Sequence, residues 1–249
     1  IGTKLKVKMR NREVFGVAVS LSDEPDFKTS EILEICGSIY TSKQLALARF
    51  IAAYYFCSLG EALGVMLPYE SGMHSQAENG NEMGESTLLP QITLSTKQNE
   101  ALEFLKKHKT ALLFGDTGSG KTEIYMKYFE EIIEQNKCSI FLMPEISLTP
   151  QMSQRLHKHF GDAVVMWHSK LTPLQKKKAL AKIYEGSAKI VAGPRSALFL
   201  PIKDIGLIVV DEEHDESYKS SSRPRYNARD IAIYMGKLYG VNVVLGSAT

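Results

Sequence analysis

From position 93 onward, short apolar runs alternate with stretches in which apolar residues recur every three to four positions. The runs are residues 111–114, 139–143, 163–167, 189–192, 207–210 and 241–245. Mostly apolar runs of that length, two of them opening on Ser139 and Lys189 and one carrying Asn242, suit strands of a parallel sheet covered by helices, and the periodic stretches between them suit crossover helices. Residues 96–108 and 123–135 are helices of this kind, and Thr172-Pro173 opens another with an N-cap followed by proline. The alternation predicts a doubly wound α/β domain.

Residues 1–20 follow a different period. Leu5, Val7 and Met9 alternate with Lys4, Lys6, Lys8 and Arg10, Asn11 marks a turn, and residues 14–19 return around Gly16. A period of two predicts a β-hairpin. Its basic stripe, which continues to Arg12, can follow a phosphate backbone or simply keep an edge strand soluble, and the pattern leaves both open. Residues 42–58 predict a helix with Ser42 as N-cap and Gly60 as stop, its aromatic positions (Phe50, Tyr54, Tyr55) serving the core. Between 71 and 87, Gly, Ser, Asn, Glu and Met replace the periodicity, as in a linker. The organisation expected is a hairpin at 1–20, a short helical segment at 21–70, a linker at 71–92 and an α/β domain at 93–249.

Bulk composition adds little. The 249 residues allow one sizeable domain and a smaller one, and 44% hydrophobic with 23% charged content is that of an ordinary globular protein. With 30 basic against 28 acidic residues, any nucleic-acid surface must come from local clustering. Cys36, Cys57 and Cys138 lie far apart, which argues against a disulfide framework or a zinc site within the chain and suits a reducing cytoplasm. No apolar stretch approaches the roughly 20 residues needed to span a bilayer, and no signal peptide is visible, so no membrane partner is expected. The first residue is Ile1 and not Met, so the natural N-terminus is expected to lie upstream.

The chemistry is concentrated at two places. Gly115-Asp116-Thr117-Gly118-Ser119-Gly120-Lys121-Thr122 fits G-x-x-x-x-G-K-[ST], and it falls between a strand and a helix. Such a loop closes backbone N–H groups around phosphates at a helix N-terminus; Lys121 reaches the phosphates and the Thr122 hydroxyl ligates Mg²⁺. Downstream, the apolar run 207–210 ends in Asp211-Glu212-Glu213-His214, a Walker B strand carrying acids to the sheet's C-terminal edge. Asp211 is the candidate Mg²⁺ ligand, and Glu212 the candidate group that orients or deprotonates an attacking water. The expected cofactors are ATP and Mg²⁺, and the Asp-Glu-x-His order points to helicase-type motors.

Further strings carry a resemblance. Pro144-Glu145-Ile146-Ser147-Leu148-Thr149-Pro150-Gln151, Arg195-Ser196-Ala197-Leu198-Phe199, Pro224-Arg225-Tyr226-Asn227-Ala228-Arg229-Asp230 and Leu245-Gly246-Ser247-Ala248-Thr249 occur in that order around the two Walker motifs. With them the chain resembles the superfamily 2 DNA helicases, and within them the primosomal replication-restart (PriA) family. The similarity runs from about residue 94 to the end and, less sharply, over 3–70.

The resemblance implies a RecA-like P-loop NTPase first lobe, preceded by the last hairpin of a 3′-DNA-binding domain and part of a winged-helix-like segment. It implies ATP-dependent 3′→5′ unwinding of branched and single-stranded DNA in replication restart, with primosome proteins and single-strand-binding protein as partners. Gln98 matches the adenine-reading glutamine. Thr149, Arg195 and Ser196 match residues along the single-strand path. Tyr218, Lys219, Arg223, Arg225, Tyr226 and Arg229 match an aromatic-rich loop whose rings stack on bases and whose cations hold phosphates. Ser247 and Thr249 match a motif coupling nucleotide state to DNA. The chain departs from the family pattern at Asp116, Pro194 and Asn227. It ends at Thr249, so the second motor lobe and the family's zinc-binding cysteines are expected to be missing, leaving a fragment with weak turnover. A P-loop fold kept as a non-catalytic DNA- or partner-binding module stays open as an alternative, as does a translocase on RNA or chromatin.

Overall fold

The computed structural model describes residues 1–23, 26–67, 69–70, 92–116 and 118–248. The linker expected at 71–92 falls almost wholly outside the described residues.

β1 (Thr3–Met9) and β2 (Arg12–Val17) form the expected hairpin, turning through Arg10 and Asn11 at φ of 47° and 61°. Two consecutive left-handed residues match the twist of the flanking strands. The segment that follows is not simply helical. β3 (Ile32–Ile39) pairs antiparallel with β1, and β4 (Tyr69–Glu70) pairs with β3, giving a four-stranded sheet in the order β2-β1-β3-β4. Ile32, Leu33 and Ile35 are all exposed, so β3 lacks the inside–outside alternation that reveals a strand in sequence. The basic stripe also divides. Lys6 lies 2.6 Å from Glu13, the Lys4 ammonium sits over the Phe15 ring, and Arg12 pairs with Met9 on the face opposite Lys4, Lys6 and Lys8.

The N-cap of α1 (Ser42–Tyr54) is Thr41, one residue before the expected Ser42, and Thr41 and Gln44 form a reciprocal capping box. Gly60 does not stop it. Residues 55–58 break the helix, and a second capping box, Ser58 with Glu61, starts α2 (Leu59–Gly64).

The α/β part follows the predicted alternation: α3 (Thr96–Lys107), β5 (Thr110–Phe114), α4 (Lys121–Glu134), β6 (Cys138–Leu142), α5 (Pro150–Phe160), β7 (Val164–Met166), α6 (Pro173–Glu185), β8 (Ile190–Gly193), β9 (Ile205–Val210), α7 (Ala228–Tyr239) and β10 (Asn242–Ser247). All six of these strands run parallel in the order β5-β10-β9-β6-β8-β7. Each predicted apolar run becomes one strand. Central β6 is buried along its whole length, as a strand covered on both faces must be. One face packs on Leu102, Tyr125, Phe129 and Leu156; the other packs on α7 and, beyond it, on Leu45, Ala48 and Ile51 of α1. α1 therefore shares a core with the parallel sheet, and Phe50 stacks on Tyr234 of α7 with ring centroids 3.7 Å apart. Among the described residues, no helix is long and apolar enough to cross a membrane.

Candidate nucleotide site and the loop beside it

The last strand in sequence organises the site. β10 lies between β5, which leads into the P-loop, and β9, which leads into the acidic motif. At its end, the Ser247 carbonyl accepts from Gly115 N–H at 3.1 Å, and the Gly246 carbonyl accepts from Glu213 N–H at 2.8 Å. One short segment thus holds both motifs in register.

In the P-loop, Gly118 and Gly120 have φ of 81° and 87°, a region open to glycine and strained for other residues. A Cβ on Gly120 would lie 2.2 Å from the Gln98 side-chain nitrogen, so the close approach also requires glycine. Gly120 caps α4 without a side-chain bond, leaving the first N–H groups of the helix to meet an anion. Lys121 is buried, its ammonium folded onto the carbonyls of Gly115 and Asp116. Gln98 donates to the Gly120 carbonyl at 3.3 Å and accepts from Ser95 N–H at 2.8 Å, which places it against the loop. Asp116, Gly118 and Ser119 lie on the exposed side, Thr122 is the second residue of α4, and Thr117 falls outside the described residues.

Asp211 leaves β9 with its N–H bonded to the Leu142 carbonyl. Its carboxylate accepts from the Tyr125 hydroxyl at 3.1 Å, while its backbone carbonyl accepts from the Tyr218 hydroxyl at 2.6 Å. Burial pushes the Asp211 carboxyl above the usual range, the neighbouring Glu212 charge adds to this, and Tyr125 and Lys121 pull the other way. Burial also drives the Tyr125 and Tyr218 hydroxyls far up, keeping both as neutral donors. Glu212 takes a left-handed φ of 48° and lies 3.7 Å from His214, half-open to solvent. Residues held in such sparsely populated backbone regions cluster at functional sites. Ser247 is buried, with its hydroxyl 3.3 Å from His214; Thr249 falls outside the described residues.

A buried carboxylate whose charge lacks a full complement of partners, at the strand end facing the start of α4 with its Thr122 hydroxyl, is an oxygen donor set that suits Mg²⁺ shared with phosphates, the cation favouring the ionised carboxylate. Among the described residues, no cluster of three or more His, Cys, Asp or Glu suits a metal held by protein alone. Tyr125 went unseen in the sequence, where it reads only as one more apolar position of the helix after the P-loop.

The expected strand-contact residues separate into two groups. Tyr218 is 1% exposed and Tyr226 6% exposed, the latter packed edge-on against Phe199, so neither ring is open to stack on a base. Arg195 donates to the carbonyls of Ser217 and Lys219, pinning the loop from within. Arg229 pairs with Glu213 at 2.9 Å and Asp230 at 3.3 Å. Thr149 spends its hydroxyl as the N-cap of α5. Ser196, Lys219, Arg223 and Arg225 remain exposed. Phe56, which the pattern placed inside a helix, is 90% exposed beside them.

A parallel sheet with a P-loop and an acidic strand end joined by a third strand defines a P-loop NTPase lobe. Residues 95–249 match the DEAD/DEAH box helicases, and residues 1–68 match the 3'DNA-binding domain (3'BD). The replication restart protein PriA of Helicobacter pylori (strain J99) is 45% identical over 249 residues, covering 100% of this chain and 39% of its own length. PriA of Rickettsia conorii is 36% identical over 253 residues with the same coverage, and PriA of Bacillus subtilis is 43% identical over 164 residues, covering 64% of this chain and 20% of its own. The solved structure of RecG bound to a three-way DNA junction gives a TM-score of 0.48 at 21% identity, covering 63% of this chain and 21% of that one. The chain belongs to the PriA family of DEAD/DEAH box helicases. It spans 39% of the length of full-chain relatives such as the Helicobacter and Rickettsia proteins.

Proposed function

We propose that the protein is an ATP-dependent 3′→5′ DNA helicase of replication restart, acting in the cytoplasm on branched and single-stranded DNA with primosome proteins and single-strand-binding protein. The observation that carries this reading is the β10 bridge: Gly115 and Glu213, from the two halves of the site, both donate to its last residues. Lys121 contacts the β- and γ-phosphates of ATP. Thr122 and Asp211 would hold Mg²⁺, which when bound offsets the phosphate charge. Glu212 orients a water for in-line attack on the γ-phosphorus and takes its proton; the bond to the bridging oxygen breaks, and ADP and phosphate leave. Gln98, on α3 and bonded to the P-loop at Gly120, reads the adenine edge. Ser247, bonded to the P-loop and beside His214, carries changes at the site toward the loop at 215–230.

Lys219, Arg223 and Arg225 supply phosphate contacts without sequence preference. Arg195 and Arg229 act behind them by fixing the loop. The zinc that the family resemblance implies has no ligand set in this chain's sequence. The test is DNA-stimulated ATP hydrolysis. Glu212→Gln is expected to lower the rate by about 10²–10⁴-fold, the usual weight of a positioned acid–base group. Equal rates in variant and parent would remove Glu212 from the chemistry.

A further inference from the structure

Phe56 has no role in the core. It is 90% exposed, yet it holds a left-handed φ of 50°, a conformation that bulky residues rarely adopt. Its neighbours enforce this. The Tyr55 hydroxyl accepts from Asn227 N–H at 3.2 Å and lies 3.4 Å from both the Asn227 carbonyl and the Asp230 carboxylate. On the other side, Cys57 N–H returns to the Ala52 carbonyl, and the Ser58–Glu61 box starts α2. A strained residue kept in place by surrounding bonds, with its side chain in solvent, is the pattern of a ligand clamp.

Across from the ring lie two cations. A cavity of about 300 Å³ is lined by Tyr55, Phe56, Cys57, Arg223, Pro224 and Arg225. The Arg223 side chain is 74% exposed and reaches Glu61 only at 3.9 Å. Arg225 makes no ion pair or hydrogen bond among the described residues. Lys219 adds an ammonium 5.4 Å from the Tyr55 ring. Glu61 at the rim and Asp230 behind the Tyr55 hydroxyl are the opposing charges, outnumbered by Arg223, Arg225 and Lys219. An open aromatic face with guanidinium groups nearby fits a flat base joined to phosphates, the pairing that non-specific single-strand binders use.

We propose that this hollow is a subsite for one nucleotide of a single DNA strand, with the base stacked on Phe56 and the flanking phosphates held by Arg223 and Arg225. The inference rests on the DNA-helicase reading and supplies the stacking ring that buried Tyr218 and Tyr226 do not. The subsite also touches the switch region directly. Tyr55 grips the N-cap of α7, and the same loop returns to Asp211 through the Tyr218 hydroxyl.

The test is fluorescence anisotropy of a labelled oligo-dT with the full 249-residue chain at fixed low salt, alongside thermal unfolding. Phe56→Ala is expected to bind about 5- to 150-fold more weakly, the range for losing one base–aromatic stack. Phe56→Trp should retain affinity, with its added emission quenched by DNA. Phe56→Gly should lose affinity like the alanine variant while its unfolding midpoint holds or rises, because glycine accepts the left-handed backbone. Binding within twofold of the parent by Phe56→Ala would overturn the subsite and leave the DNA reading standing. A midpoint that falls together with affinity in Phe56→Gly would make the ring structural and likewise overturn it. No oligo-dT binding by the parent chain would overturn the DNA reading and the subsite with it.

Discussion

Replacing Tyr125 by phenylalanine removes one oxygen from the centre of the nucleotide site. The ring keeps its edge-on contact with Phe141, centroids 5.8 Å apart, so packing is preserved. What is lost is the 3.1 Å bond to the Asp211 carboxylate, in surroundings that already disfavour its charge. Hydrogen bonds to charged groups contribute about 1.5–3 kcal/mol, and neutral ones about 0.5–1.5 kcal/mol. For a chain of this size, about 1.5–3 kcal/mol corresponds to a fall of roughly 3–12 °C in the unfolding midpoint. The pH dependence has a definite sign. Tyr125 favours ionised Asp211, so the full cost appears above the folded carboxyl's range and shrinks below it, where the bond is neutral to neutral. Denaturant unfolding of parent and Tyr125→Phe at neutral and acid pH measures both values. A cost below about 0.5 kcal/mol, or one that does not change with pH, would refute the coupling between this hydroxyl and the Walker B charge.

Asp211→Asn should stabilise the protein at neutral pH while abolishing Mg²⁺-dependent hydrolysis. Its folded carboxyl lies above the usual range, so the folded state holds more protons than the unfolded chain between the two values, and stability falls as pH rises through that window. The gain should vanish below the ordinary carboxylate range, as paired thermal melts would show. Gly120→Ala forces a φ of 87° on alanine and a 2.2 Å approach to Gln98. It should cost about 1–2 kcal/mol in stability from the backbone alone, with nucleotide affinity down by at least about tenfold in equilibrium titration. Unchanged affinity would mean that the loop does not enclose phosphate.

The parallel sheet was legible because its central strands, buried on both faces, leave mostly apolar runs, and edge strand β5 keeps such a run although Leu112 and Phe114 are exposed. β3 was not, because its Ile32, Leu33 and Ile35 all face solvent, and its pairing with β1 rather than burial holds it. The Walker residues could be read from spacing alone, since glycine geometry and strand-end carboxylates are local properties. The DNA-facing set could not. Whether Tyr218 lies over the loop or under it depends on Asp211 seven residues back, and whether Arg229 is free depends on Glu213. Such commitments follow from how the loop folds back on its own strand, which composition does not record. Phe56 was hidden for a related reason. No Gly or Pro marks the break after α1, but Ser58 with Glu61 is a capping box, and it places a new helix start within the apparent single helix.

The most direct measurement is equilibrium binding of a fluorescent ATP analogue to the 249-residue chain with and without Mg²⁺, in parent and Lys121→Ala. Saturable, Mg²⁺-dependent binding by the parent, lost in Lys121→Ala with no change in far-UV signal, is the expected result. Equal binding by the two proteins would contradict the assignment of the P-loop, and with it the ATP-driven function proposed for the fold.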